Sequence, residues 1–225
     1  MQIFASRAAL ADALAQATSR ALEVRIKTQG RAMLAVSGGN TPVLFFEALS
    51  RISLDWSRVV VTLVDERWVP ESNPRSNAAL VRRHLLVGHA AEALFIPLYN
   101  EAATPDLGRA AQEAVLAAQP LPLAAAILGM GEDGHTASFF PGGNHLSAAL
   151  NPKSGQILET MTASGAGEER MTLTLPVLQN ADFLALHIEG ERKREVLARA
   201  QGQGADEEMP VRAVLRRHPS IYWCQ

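Results

Sequence analysis

With 225 residues, of which 48% are apolar, the chain can bury a sizeable core, and residues 1–225 read as a single domain. A formal net charge of −2 excludes a general attraction to nucleic acid or anionic membrane, leaving room only for a local basic pocket. One cysteine, Cys224, excludes a disulfide framework and fits a reducing compartment.

Ser6 to about Gln29 is rich in Ala and Leu at helical spacing, with Ser6 as N-cap and Gly30 as the stop. Ala32–Val36 reads as a buried strand. In the SGGNTP turn that follows, Thr41 is expected to cap, and Pro42 to begin, a helix over Val43–Ser50. Val59–Val64 is a β-branched strand that ends in Asp65-Glu66-Arg67, and after a loop Ser76 caps a helix over Asn77–Val87. Phe95–Tyr99 is a short strand. Thr104-Pro105 starts a helix that ends near Gln119, and Leu123–Leu128 is a strand leading into glycines. Ile157–Thr162 is another strand, Ser164–Glu169 the most flexible-looking segment, and Thr172–Gln179 ambiguous between strand and helix. Phe183–Ile188 is a strand, Glu191–Ala200 a helix and Ile221–Cys224 a final strand. No apolar run approaches a membrane span, the N-terminus lacks a signal-peptide layout, and the cytoplasm is the default.

This alternation predicts an α/β fold: a mostly parallel twisted sheet with helices on both faces, Rossmann-like, its active site at the carboxyl edge of the strands. The polar stations gather at that edge, since SGGNT, DER, GMGEDGH and EGERK each follow a strand.

The stretch ILGMGEDGHT, Ile127–Thr136, fits G-x-G-x-x-G with Gly129, Gly131 and Gly134, and Glu159 lies about where a dinucleotide site has its acidic ribose ligand. Glu132 and Asp133, however, fill the two positions before the third glycine, where they would repel a diphosphate. The fingerprint is read as accidental, and no cofactor is expected. The other use of Asp-Gly-His is a sharp turn that presents an imidazole able to take a proton from water. Asp133 and His135 could also serve a metal, but no further His or Cys stands at ligand spacing. His84, His89 and His145 lie in helix or loop contexts, so no metal is expected.

SGGNTP joins backbone amides to a helix N-terminus, a site suited to phosphate, and it lacks the lysine of a nucleoside-triphosphate loop. Arg170 and Lys193 are cations of the kind that complete such a nest around a phosphate monoester. Asp65 and Glu66 end an apolar strand at the edge where sites are built. Trp56, Trp68 and Trp223 read as packing residues.

SGGNTP, DERWVP followed by SNPRSN, GMGEDGHTASFFPG and RMTLTLP, in that order, resemble the 6-phosphogluconolactonase family over roughly Val36 to Leu197. The resemblance implies the α/β sheet shared with glucosamine-6-phosphate isomerase. It also implies a cofactor-independent hydrolase that opens 6-phospho-D-glucono-1,5-lactone in the pentose phosphate pathway. Carried over by position, the family's histidine falls on His135, its aspartate on Asp133 and the DER arginine, as oxyanion partner, on Arg67, with Asp65 a further catalytic candidate. The phosphate loop falls on Ser37, Gly38, Gly39, Asn40 and Thr41, the arginine before TLTLP on Arg170, and the lysine of the late helix on Lys193. There are two departures: Asn40 stands where serine or arginine is common, and SGAGEER replaces a proline-rich, basic approach to Arg170. An aminosugar-phosphate isomerase would carry a carboxylate where Phe140 stands. A sugar-phosphate sensor would carry an added regulatory segment, and a nicotinamide dehydrogenase is disfavoured by the loop carboxylates. The implied partner is a small sugar-phosphate lactone, with no nucleic acid or membrane. A monomer is the default, although oligomeric state is not legible in one sequence.

Overall fold

The computed structural model describes residues 1–225. Its strands are β1 (Gln2–Phe4), β2 (Ala32–Val36), β3 (Val59–Leu63), β4 (Asp65–Arg67) and β5 (Leu94–Ile96), then β6 (Ala125–Leu128). β7 (Leu158–Met161), β8 (Arg170–Leu173), β9 (Phe183–Glu189) and β10 (Ser220–Cys224) complete them. The first four helices are α1 (Arg7–Gln29), α2 (Val43–Ser50), α3 (Asn77–His84) and α4 (Pro105–Ala117). The last four are α5 (Leu146–Leu150), α6 (Leu175–Gln179), α7 (Glu191–Gln201) and α8 (Val211–Leu215).

Seven strands form one sheet in the order β1-β10-β9-β6-β2-β3-β5, with every pairing parallel. Every residue of β2, β3 and β6 is buried, as expected of central parallel strands covered on both faces. From β2 the chain runs outward through β3 to β5, then returns to lay β6 on the other side of β2. The order reverses between those two strands, and that is where an open parallel sheet leaves a crevice.

Local chemistry explains the ends of α1. Ser6 Oγ accepts the Ala9 N–H at 3.1 Å, and Gly30, at φ 81°, donates to the Ile26 carbonyl, a left-handed stop that suits glycine. The other cap-plus-proline pair behaves differently from expectation. Pro42 itself takes the N-cap position of α2, and Thr41 makes no capping bond. β5 stops at Ile96 rather than Tyr99 because Pro97 has no N–H to extend the ladder.

The largest departure from the sequence reading is at Asp65–Arg67. These residues do not finish β3; they form β4, paired antiparallel with β8, which pairs with β7 in a second, three-stranded sheet. Val64 is the hand-over point: its N–H donates to Val36 at 2.9 Å, and its carbonyl accepts from Leu173 at 2.8 Å. The ambiguous stretch Thr172–Gln179 is both things, since β8 ends at Leu173 and α6 follows with Pro176 in its first turn. The short β1, α5 and α8 carry no periodic signal long enough to read. No helix is long and apolar enough to cross a membrane.

Leu34, at the centre of β2, is fully buried. Leu34→Ala should lower the unfolding free energy by about 2–5 kcal/mol, whereas Ser6→Ala should cost only about 0.5–2 kcal/mol. Urea titration followed by circular dichroism checks the ranking; equal losses would mean that the β2 core is not closely packed.

Candidate active site

At the reversal point, Ser37 and Gly129 leave neighbouring strands, and Ser37 Oγ accepts the Gly129 N–H at 3.3 Å. A cleft of about 330 Å³ opens there, of a size that suits a small ligand. Ser37, Gly38, Gly39, Thr41, Asp65, Arg67, His135, Arg170 and Lys193 all line it. Of the predicted site residues, Asn40 and Asp133 do not: both are exposed, and Asp133 reaches the cleft only through His135. Gly38 has a steric reason to lack a side chain, since a Cβ there would lie 1.8 Å from Asn77 Oδ1.

The glycine segment closes on itself. Gly131 donates to the His135 carbonyl at 2.8 Å, and Gly134, at φ 81°, donates to the Gly131 carbonyl at 3.2 Å. No helix opens after Gly134, and Glu159 is buried on β7 outside the cleft. The segment therefore has neither the helix N-terminus nor the acidic partner of a dinucleotide loop. What the turn does instead is bind one carboxylate to one imidazole. Asp133 Oδ1 lies 2.6 Å from His135 Nδ1 and accepts the His135 backbone N–H at 3.1 Å. A proton on Nδ1 toward Asp133 leaves the Nε2 lone pair for another group. The bond from His135 is the main cause holding the Asp133 carboxyl at about 2, against the opposing effect of burial. A Cβ on Gly131 would sit 2.1 Å from His135 Nδ1 and 2.4 Å from Asp133 Oδ1, so the pair needs this glycine. The Phe140 ring lies against the imidazole, centroids 4.5 Å apart.

β4 brings three consecutive side chains to different tasks. Asp65 accepts from Ser138 Oγ at 2.6 Å and lies 3.7 Å from Arg170 Nη1. Arg67 lines the cleft and donates to the Arg75 carbonyl, while its buried Nε has no partner. Glu66 is fully buried and gathers four donors: the N–H groups of Arg67 and Asn77 on Oε1, and the Ala78 N–H with Ser76 Oγ on Oε2. Burial pushes its carboxyl up, and those four donors pull it part of the way back. Glu66 thus clamps β4 to the start of α3, and Asn77 extends the clamp by donating to the Asp65 carbonyl at 2.9 Å. Sequence reasoning placed Glu66 at the strand edge where sites are built, without a partner for it, and did not single out Asn77. A carboxylate beside a helix start ten residues away carries no local signature.

Arg170 and Lys193 both face the cleft but differ in freedom. Arg170 is buried, donates to the carbonyls of Ala166 at 2.5 Å and Glu168 at 3.3 Å, and lies over Phe140. Burial lowers its pKa, and Asp65 offsets this. It is tied into Ser164–Glu169, the segment that looked flexible in the sequence. Lys193 is half-buried and donates to the Met130 carbonyl. Burial lowers its pKa, with Glu132 and Asp133 opposing.

A family model described as glucosamine-6-phosphate isomerases/6-phosphogluconolactonase matches residues 5–223. The chain belongs to that family. A 6-phosphogluconolactonase of Rhizobium meliloti is 53% identical, the match covering 99% of this chain and 97% of the relative. One from Mesorhizobium japonicum is 48% identical over 98% of this chain and 93% of its own. A solved 6-phosphogluconolactonase from Shewanella baltica superposes with a TM-score of 0.96 at 36% identity, covering 100% of this chain and 97% of the other. These relatives mark the chain as an enzyme on the lactonase side of the family.

Two predictions follow from the geometry. The Asp133 carboxyl should titrate near 2 by NMR, and Gly131→Ala should return it toward the ordinary aspartate value of about 3.9. Because the folded value lies below the unfolded one, the pair's contribution to stability is full above the ordinary value and lost as pH falls toward 2. A carboxyl that titrates at the same pH in both proteins would mean that Gly131 does not make room for the pair. Glu66→Gln, in turn, sets an amide NH₂ against backbone donors and should destabilise the fold by about 1–3 kcal/mol. Unchanged denaturant midpoints would show that the clamp contributes nothing.

Proposed function

We propose that this lactonase hydrolyses 6-phospho-D-glucono-1,5-lactone to 6-phospho-D-gluconate in the cytoplasm, with His135 as the general base. The observation that carries the reading is the Asp133–His135 pair, bonded at 2.6 Å on the wall of a cleft that also holds the Ser37–Thr41 turn and Lys193. An imidazole fixed through Nδ1 offers Nε2 to a water, and a cation with backbone amides elsewhere in the same cleft suits the phosphate of a sugar phosphate.

Nε2 of His135 removes a proton from the water as its oxygen attacks the lactone carbonyl carbon. The carbonyl electrons move onto oxygen, and Arg67, which lines the same cleft, is assigned to stabilise that charge. As the tetrahedral intermediate collapses, the bond from that carbon to the ring oxygen breaks, and His135 returns its proton to the departing oxygen. One water is consumed, and the new carboxylic acid ionises to solvent. Asp133 keeps the ring in the orientation that one group serving as base and then acid requires. Asp65 acts as support, since its carboxylate is already engaged with Ser138 and Arg170. The phosphate end is assigned to Ser37, Gly38, Gly39, Thr41 and Lys193; Arg170, which lines the cleft but already donates to the Ala166 and Glu168 carbonyls, braces its wall. Binding at that end positions the carbonyl.

Phe140 argues against an isomerase reading. It packs on His135 where an aldose–ketose proton shuttle would need a second acid, and it supplies none.

The test is release of 6-phosphogluconate from freshly made lactone, with spontaneous hydrolysis subtracted. His135→Ala should lower kcat by roughly 10²–10⁴-fold while substrate still binds. Lys193→Ala should raise KM by about tenfold or more, with a smaller effect on kcat. A folded His135→Ala protein with near-normal kcat would remove the base assignment, and an unchanged KM in Lys193→Ala would place the phosphate elsewhere.

A further inference from the structure

The cleft holds a second carboxylate–imidazole pair. His187 and Glu189, two residues apart and therefore on one face of β9, both line it. His187 Nε2 lies 3.2 Å from Glu189 Oε1, while Nδ1 is buried with no partner. The imidazole meets Phe45 edge-on, centroids 6.4 Å apart. Phe45 belongs to α2, the helix that the Ser37–Thr41 turn leads into, so α2 links the pair to that turn. Behind it, Arg7 at the start of α1 donates Nε to Glu189 Oε2 at 2.5 Å. Arg7 does not line the cleft.

This arrangement poses an electrostatic problem. A carboxylate in the wall of a cleft that takes a phosphate repels it unless that charge is compensated or turned away. Burial disfavours the charged form of Glu189, but the His187 bond and the Arg7 charge outweigh it and keep its pKa low, so the carboxylate stays ionised. Both of its oxygens are engaged, one by each partner.

We propose that Arg7 and His187 hold the Glu189 carboxylate against the β9 side of the cleft and that the Arg7 guanidinium compensates its charge, making Arg7 a positioning residue that sets affinity for the substrate phosphate from outside the cleft. The inference rests on the reading that the phosphate binds at Ser37–Thr41 and Lys193.

Arg7→Ala tests it. Arg7 is half-exposed at a helix start, so the variant should fold. KM for the phosphorylated lactone should rise about threefold to tenfold, with kcat within about twofold. The rise should shrink in about 0.5 M salt, which screens a charge effect but not a packing defect. Adding Glu189→Gln to Arg7→Ala should restore KM, because the uncompensated charge is then gone. An unchanged KM in Arg7→Ala, a rise that salt does not reduce, or one that Glu189→Gln does not reverse overturns the proposal. Lys193→Ala separates the two levels. If it raises KM while Arg7→Ala does not, only this inference fails; if neither changes KM, the phosphate assignment falls and takes the inference with it.

Discussion

β2 and β6 are hydrogen-bonded neighbours in a parallel sheet, yet the chain leaves them toward opposite sides. No connection can then close over the gap between their carboxyl ends. Everything chemical in this molecule depends on that gap. The Ser37 turn and the Gly129 segment emerge side by side there and are tied by a single bond. Their amides and side chains border a cleft rather than a loop interior. Burial of all of β2, β3 and β6 keeps the two strand ends fixed relative to one another, so a small ligand meets a rigid frame.

The second sheet adds Asp65, Arg67 and Arg170 to the lining of the cleft, and its attachment is polar. Val64 passes the chain from one sheet to the other by donating to β2 and accepting from β8. Two residues later, Glu66 binds the first amides of α3. An anion at a helix start is favourable because several N–H groups there have no partner within the helix. Here the partner is buried, so the four donors also prevent an otherwise costly isolated charge. The clamp explains how Asp65 and Arg67, which flank Glu66 on a three-residue strand, hold their places.

The two imidazoles of the cleft illustrate how environment separates roles. Each is bonded to a carboxylate through one nitrogen. The side chain of His135 is 31% exposed, whereas that of His187 is 3% exposed. A base that activates water must reach water, and only the first can. The same pairing is thus open to solvent on one loop and enclosed on a strand, and access is what separates the base proposed at His135 from the charge-holding role proposed at His187.

Much of this was legible along the chain. Helix α1 with its serine cap and glycine stop, the buried strand β2 and the run of strand-end polar segments are local matters, set by side-chain periodicity and by what glycine and proline allow. The two residues of the Asp133–His135 pair were legible as well, one on each side of a glycine turn, but their contact came only with the folded turn. Other features join residues far apart in the chain and leave no periodic trace. Whether Asp65–Arg67 extends β3 or pairs with β8 is decided more than a hundred residues later, at Arg170–Thr172. The burial of Arg170, the clamp at Glu66 and the line from Arg7 through Glu189 to His187 likewise exist only after packing. A charged side chain reads as a solvated surface until a partner from another element removes it from water, and that partner is chosen by topology rather than by neighbours in the sequence.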